Sequence, residues 1–382
     1  MRRERTVDRV ELGLALGVDP EGQRDEVAVA TVTQLQALGV HRPGVRLDQP
    51  DHLDSVASLY VQMRLQREAH GAAPVVLASE NQQEHAGIRL DETTSYKLIA
   101  FAPFAATDAA HEPEAEVYYL AGDTHFGRAM TQALTDPDAA GRVAEAVLAR
   151  THGRPLILNL EGVILPNVPE SLAHMTIAMP RELAIPWLRR LNVAAVGLAN
   201  NHALDLGPSG LDETRAALDE AGIPHFGQGE RFDLGGLSVV GLTDLDSNGP
   251  PYTDLLTPEL LDRLAVADAT RPVVAFAHWG REYVAEPSSR EAALAQEMRL
   301  RGATVIAGAH PHVADGRLVA LGGGDAIMAY SLGNFLFDQS ADKEENPASG
   351  RLLELRVFRQ GTVFARLIEL PNLFDLARPP AR

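Results

Sequence analysis

The chain contains no cysteine. Disulfides, thiolate metal sites and a cysteine nucleophile are therefore excluded, and any metal must be held by His, Asp, Glu and Asn. Positive charge is scarce as well. Lysine and arginine number 34 against 52 aspartates and glutamates, a net charge of −18. A surface that tracks phosphates needs a basic patch, so nucleic acid is not an expected partner. No apolar run approaches the ~18 residues of a membrane helix. The amino terminus, MRRERTVDRVELGLALGVD, is basic at its start but has no continuous apolar segment and no cleavage site. The expectation is a cytoplasmic protein with no membrane segment.

What is present is ordinary globular composition, 45% hydrophobic and 23% charged, over a length that calls for one large or two smaller domains. The small, acidic, proline-containing stretch 105–115 is the candidate boundary. It separates residues 1–115, an α/β extension or accessory domain of unknown role, from residues 116–382. In the first part, helices are expected over Val27 to Leu38 and Val56 to Arg67. Strands are expected over 74–78 and 96–101, as a pair of βα units.

From Val117 onward short apolar strands alternate with helical patterns. Strands are expected at 117–121, 156–158, 194–199, 237–242, 273–277, 304–307 and 326–330. Thr257 before Pro258 reads as the cap of a helix over 257–267. Strands 351–358 and 363–370 read as a half-exposed hairpin turning at Gln360-Gly361. Strands alternating with helices, then closing strands, argue for two sheets flanked by helices.

Five of the strands end in polar knuckles. Asp123 and His125 follow the first, Glu161 the second, Asn201 and His202 the third, His278 another, and His310 and His312 the last. These ends hold five of the 13 histidines. In an extended segment, Asp-x-His and His-x-His put both side chains on one face, because the strand period is two. Oxygen and imidazole donors together suit Mn, Fe or Zn. A bridging oxygen would hold two ions ~3.5–4 Å apart, as in two-metal hydrolases. Asp205 is placed to orient His202 or to cap the next helix, and Glu282 to act as a nearby base or simply to face solvent. Arg128 and Arg281 flank the motifs as candidate substrate-binding cations, and Asn334 could close the pocket or merely form a turn.

GDTHFGR, NLEG, LANNHALDLGPSGLDET, GIPHFGQG, HWGREY, GAHPHV and SLGNFLFD occur in this order. The set resembles the bacterial capsule-synthesis proteins of the CapA or PgsA type, which are associated with poly-γ-glutamate and form a branch of the calcineurin-like metallophosphoesterases. The resemblance covers roughly residues 116–340. It implies a four-layered α/β/β/α sandwich with two divalent ions. It also implies Asp123, His125, Glu161, Asn201, His278, His310 and His312 as ligands, and His202 as the acid beside the leaving group.

The expected function is a metal-dependent hydrolase in which activated water attacks an amide (γ-glutamyl or peptide) or phosphoester bond. The substrate would be a small molecule, a peptide or polyglutamate. Alternatives are a phosphomonoesterase or phosphodiesterase, a metal-dependent peptide epimerase, and a non-catalytic polyglutamate-binding assembly protein.

Overall fold

The computed structural model describes residues 115–378 apart from 174, 247–254, 266–267, 269–270, 323–325, 342–347 and 359–360, together with the backbone of residues 28–30, 75–81 and 95–100. The three early strands are β1 (Ala28–Ala30), β2 (Val75–Asn81) and β3 (Ser95–Ala100). Next come β4 (Ala115–Thr124), α1 (Arg128–Thr135), α2 (Pro137–Thr151), β5 (Leu156–Leu160), β6 (Val163–Leu165), β7 (Ala178–Pro180), α3 (Arg181–Arg190), β8 (Val193–Gly197), α4 (Gly207–Ala221) and β9 (His225–Phe226). A second series holds β10 (Arg231–Leu234), β11 (Leu237–Thr243), α5 (Pro258–Leu261), β12 (Val273–His278), α6 (Ser289–Leu300), β13 (Ala303–Ala309), β14 (Val319–Leu321) and β15 (Ala326–Ala329). The chain closes with β16 (Asn334–Leu336), β17 (Gly350–Phe358), β18 (Val363–Leu370) and α7 (Leu373–Ala377).

Among the described residues the strands make two large sheets. One runs β1-β18-β17-β4-β5-β8-β9, with β16 also paired to β4; the other runs β10-β11-β12-β13-β15-β14. The period-two alternation of side chains sorts their residues into layers. On β4, Tyr118 and Leu120 pack between the sheets, whereas Tyr119 and Ala121 face the helices. On β5, Ile157 faces inward while Leu156 and Leu158 face out. On β11, Val239 faces inward, while Val240 and Leu242 pack outward with Ala295 and Met298 of α6. Three hydrophobic layers separated by two sheets give the expected four-layered α/β/β/α sandwich. Fully buried aliphatic side chains such as Leu120, Ile157 and Val305 each contribute about 1.5–3 kcal/mol.

Several local expectations differ from the structure. Ala28–Ala30 is a strand paired antiparallel with β18 rather than the start of a helix; the rest of Val27 to Leu38, and Val56 to Arg67, lie outside the described residues. β2 and β3 pair antiparallel with each other, whereas a βα crossover would make them parallel. The helix capped by Thr257 ends at Leu261 and continues only as a 3-10 turn to Leu264. The closing hairpin alternates as expected: Leu353, Leu355 and Val357 are buried between the sheets, while the opposite face is covered at Leu352 and Glu354 and half-buried at Arg356, Phe364 and Arg366.

The feature that builds the site is a change of sheet. After β15, in the second sheet, the chain crosses to run parallel with β4 of the first. The crossing is tight. A Cβ on Gly122 would lie 1.9 Å from the Gly333 carbonyl oxygen, which accepts from the Asp123 N–H at 2.9 Å. Gly333 itself has φ +62°, a conformation that costs glycine little. This contact brings the carboxyl ends of both sheets to one edge.

Candidate metal centre

The strands β4, β5 and β8 run parallel in one sheet, and β11, β12, β13 and β15 run parallel in the other. Ligands collect at the carboxyl ends of such strands. There the first sheet supplies Asp123, Glu161, Asn201 and His202, and the second supplies His278, His310 and His312. Asp123, Glu161 and His278 are all buried, and each offers one donor atom within 4.8 Å of the other two.

An amide joins these three groups. Asn159 Nδ2 is 3.0 Å from Asp123 Oδ1, 3.0 Å from Glu161 Oε1 and 3.1 Å from His278 Nδ1. Its own carbonyl oxygen accepts from Asn200 Nδ2 at 3.1 Å, and Asn200 also donates to the Leu160 carbonyl. Asn200 Oδ1 accepts the His202 N–H. Neither asparagine was singled out in the sequence. The usable signal was Asn-Leu-Glu, an i, i+2 pair at the end of β5 that obeys the same alternation as Asp-x-His.

The other expected residues fall into three groups. Asn201, His202, His310 and His312 surround the buried three. His278 Nε2 lies 2.8 Å from Asn201 Oδ1. His202 Nε2 lies 3.9 Å from Glu161 Oε2, while its Nδ1 bonds Asp205 at 2.9 Å. Asp205 accepts the Ile177 N–H with the same oxygen, so it orients His202 and pins a loop. His312 Nδ1 is 3.3 Å from Asp123 Oδ2 and 2.8 Å from Asn334 Oδ1.

A second group is turned elsewhere. His125 is buried, but its Nδ1 accepts the Gly127 N–H at 3.2 Å and its Nε2 bonds Asp338 at 3.0 Å. Asp338 also pairs with Arg128, through both Nε and a terminal nitrogen. Arg128 packs over Phe337 and reaches His125 Nε2. Asn334 faces His312 and Gln339. In the third group, Arg281 and Glu282 are exposed.

The expected one-face geometry fails for His310 and His312, for a backbone reason. β13 ends at Ala309, so the alternation stops before His310 and His312. His310 and His312 have φ values of +96° and +58°. This bend aims the His310 N–H at both Asp123 oxygens, 3.0 Å from each, and leaves the two rings 5.8 Å apart.

Burial dominates the electrostatics. It lowers His278 to about 3 and His125 to about 4, and pushes His310 well below the usual histidine range. Burial also acts on His312, but bonding to Asp123 outweighs it and the ring is shifted up. Burial would raise Asp123, yet His312 and His278 hold it below the ordinary carboxylate value. Glu161 goes the other way: burial first, then the adjacent Asp123 charge, raise it well above the usual range.

This donor set fits a divalent cation. Glu161 Oε2 is buried with no hydrogen-bond partner. Among the described residues, no lysine or arginine forms an ion pair with Asp123 or Glu161. Neutral His278 presents a lone pair toward the two carboxylates. Buried carboxylates without a cation are costly, and oxygen plus imidazole donors are what Mn, Fe or Zn accept.

With the geometry in hand, comparison with known proteins gives a consistent result. Residues 118–235 and 246–339 match the family described as bacterial capsule synthesis protein PGA_cap. The capsule biosynthesis protein CapA of Bacillus anthracis is 31% identical over 214 residues, 50% of this chain and 50% of that protein. The PGA biosynthesis protein CapA of Bacillus subtilis (strain 168) is 29% identical over 202 residues, covering 47% and 51%. The chain thus spans about half the length of these relatives. A phosphatase of known structure from Mycoplasma pneumoniae aligns over 70% of this chain and 98% of its own, at 16% identity and a TM-score of 0.40. That likeness is too slight to speak to chemistry.

Proposed function

The chain belongs to the bacterial capsule synthesis family PGA_cap, and from that premise we propose that it is a divalent-metal-dependent hydrolase acting on an amide or phosphoester bond. Asp123, Glu161 and His278, together with Asn201, His310 and His312, would hold two such ions, manganese, iron or zinc. The observation that carries this reading is Glu161, a buried carboxylate with one oxygen unpartnered and no cationic side chain paired to it. When bound, such ions lower the pKa of water and polarise the scissile group.

The chain's own groups do the rest. Asp205 holds His202 Nδ1 in a hydrogen bond, which aims Nε2 toward Glu161. From there Nε2 delivers a proton to the leaving atom. Asn159 and Asn200 tie the His202 knuckle to both carboxylates, so acid and ligands keep one spacing. The name of one relative, a PGA biosynthesis protein, together with the motif resemblance to poly-γ-glutamate proteins, favours a γ-glutamyl chain as substrate.

The test is a panel of γ-glutamyl peptides and aryl phosphates, with and without chelator, on the wild type and His202→Ala. The expected result is chelator-sensitive turnover that falls about 10²–10⁴-fold in the variant, with metal content by mass spectrometry unchanged. Turnover that ignores the chelator, or an equally active variant, overturns the reading.

A further inference from the structure

A row of side chains leads from the buried carboxylate to the rim. His312 Nδ1 lies 2.8 Å from Asn334 Oδ1, Asn334 Nδ2 donates to Gln339 Oε1 at 2.9 Å, and Gln339 Nε2 donates to Tyr283 Oη at 2.9 Å. Amides and a neutral imidazole can run such a row in either direction. The placement of the two amides sets the direction: Asn334 gives its nitrogen to Gln339 and Gln339 its nitrogen to Tyr283, while Asn334 Oδ1 faces His312 Nδ1. The tyrosine hydroxyl ends as an acceptor, with its own proton still to give, and among the described residues no acceptor takes it.

The backbone holds Tyr283 in place for this. Its φ is +60°, an arrangement that is sterically unfavourable for a bulky L-residue and persists where surroundings over-determine it. Its N–H is fixed on the Pro311 carbonyl at 2.7 Å, between the two histidines of the last knuckle. The half-buried ring is 6.0 Å from the His312 ring. We propose that Tyr283 is a substrate-facing hydrogen-bond donor, oriented by Asn334 and Gln339, and that it receives an anionic oxygen of the substrate, whether carboxylate or phosphoryl. The proposal rests on reading this edge as a reaction site. It also gives Asn334 a positioning role in place of direct substrate contact.

The experiment uses the full chain loaded with manganese, with inorganic phosphate and L-glutamate as separate probes. Calorimetry measures binding, and ultraviolet resonance Raman reads the tyrosine doublet that distinguishes hydroxyl donors from acceptors. Tyr283→Phe is expected to weaken binding of at least one probe about tenfold or more. The wild-type doublet should shift toward the donor form when that probe is added, and the shift should be absent in the variant. Gln339→Glu replaces the amide donor with an acceptor that captures the tyrosine proton. It should match Tyr283→Phe, and the double variant should be no weaker than either single one. Unchanged affinity in Tyr283→Phe, with binding still abolished by chelator, overturns the proposal and leaves the metal-dependent reading standing. No binding of either probe by the loaded wild type overturns both.

Discussion

Two buried glutamates in this molecule have opposite surroundings. Glu354, on β17, is 1% exposed and accepts from Arg366 at 2.6 Å, Arg356 at 2.7 Å and Tyr119 Oη at 3.0 Å. Glu161, after β5, is equally buried, yet its protein partner is the Asn159 amide at 3.0 Å and its second oxygen has none. Burial affects both carboxyls in the same sense, upward. For Glu354 the two guanidiniums more than offset it and hold the group below its ordinary value. For Glu161 the nearest charge is another carboxylate, which adds to the rise. Folding has paired cations with the first, whereas for the second Arg128 acts only from a distance while paired to Asp338. A fold that can satisfy a buried glutamate in one place and does not in another points to a partner from outside.

Substitutions can sharpen or break that contrast. The largest expected effect is Glu161→Gln. Partners in contact with metal ligands are worth about 10–100-fold in metal affinity, so loss of a ligand should cost more than about a hundredfold, read by manganese titration. In chelator, the same variant should be no less stable than the wild type, because it removes an uncompensated carboxyl. A marked loss of stability in chelator would mean that Glu161 is satisfied by the protein after all.

Next comes Asn159→Ala, which removes the amide that spaces Asp123, Glu161 and His278. Metal affinity should fall about 10–100-fold, with secondary structure by circular dichroism retained. The smallest is Glu354→Gln. Fully buried pairs cost about 3–5 kcal/mol when broken, but Arg366 and Arg356 are 31% and 40% exposed, which reduces the figure to about 1–2 kcal/mol by urea unfolding. Metal affinity should not change.

The pH dependence of that stability has a defined sign. Because the folded-state value lies below the ordinary 4.5, the contribution of Glu354 is complete above 4.5 and is lost as the pH falls through the lower folded value. Glu354→Gln should flatten this acid limb relative to the wild type. An unchanged limb would assign the acid sensitivity to other groups.

Much of this was legible in the sequence, because periodicity and strand ends are local signals. The alternation of β4 and β5, the knuckles at Asp123, Glu161, Asn201 and His278, and the four layers follow from apolar spacing alone or from the motif set. What was not legible depended on where strands stop and on long-range partners. His125 lies one residue past the end of β4 and turns to Asp338, 213 residues away. His310 and His312 adopt positive φ values that no two-residue period foretells. Asn159 was missed for a different reason, since an amide beside two acids carries no charge to draw attention.

The most direct test of a cation at the junction of the two sheets is an anomalous difference map, recorded at the manganese edge, from crystals of the full chain grown with manganese. The expected result is a peak about 2.1 Å from Glu161 Oε2 or its neighbouring donors on Asp123 and His278, in keeping with first-row metal–oxygen and metal–nitrogen distances. A map with no peak there, and Glu161 Oε2 bonded instead to a protein group, would contradict it.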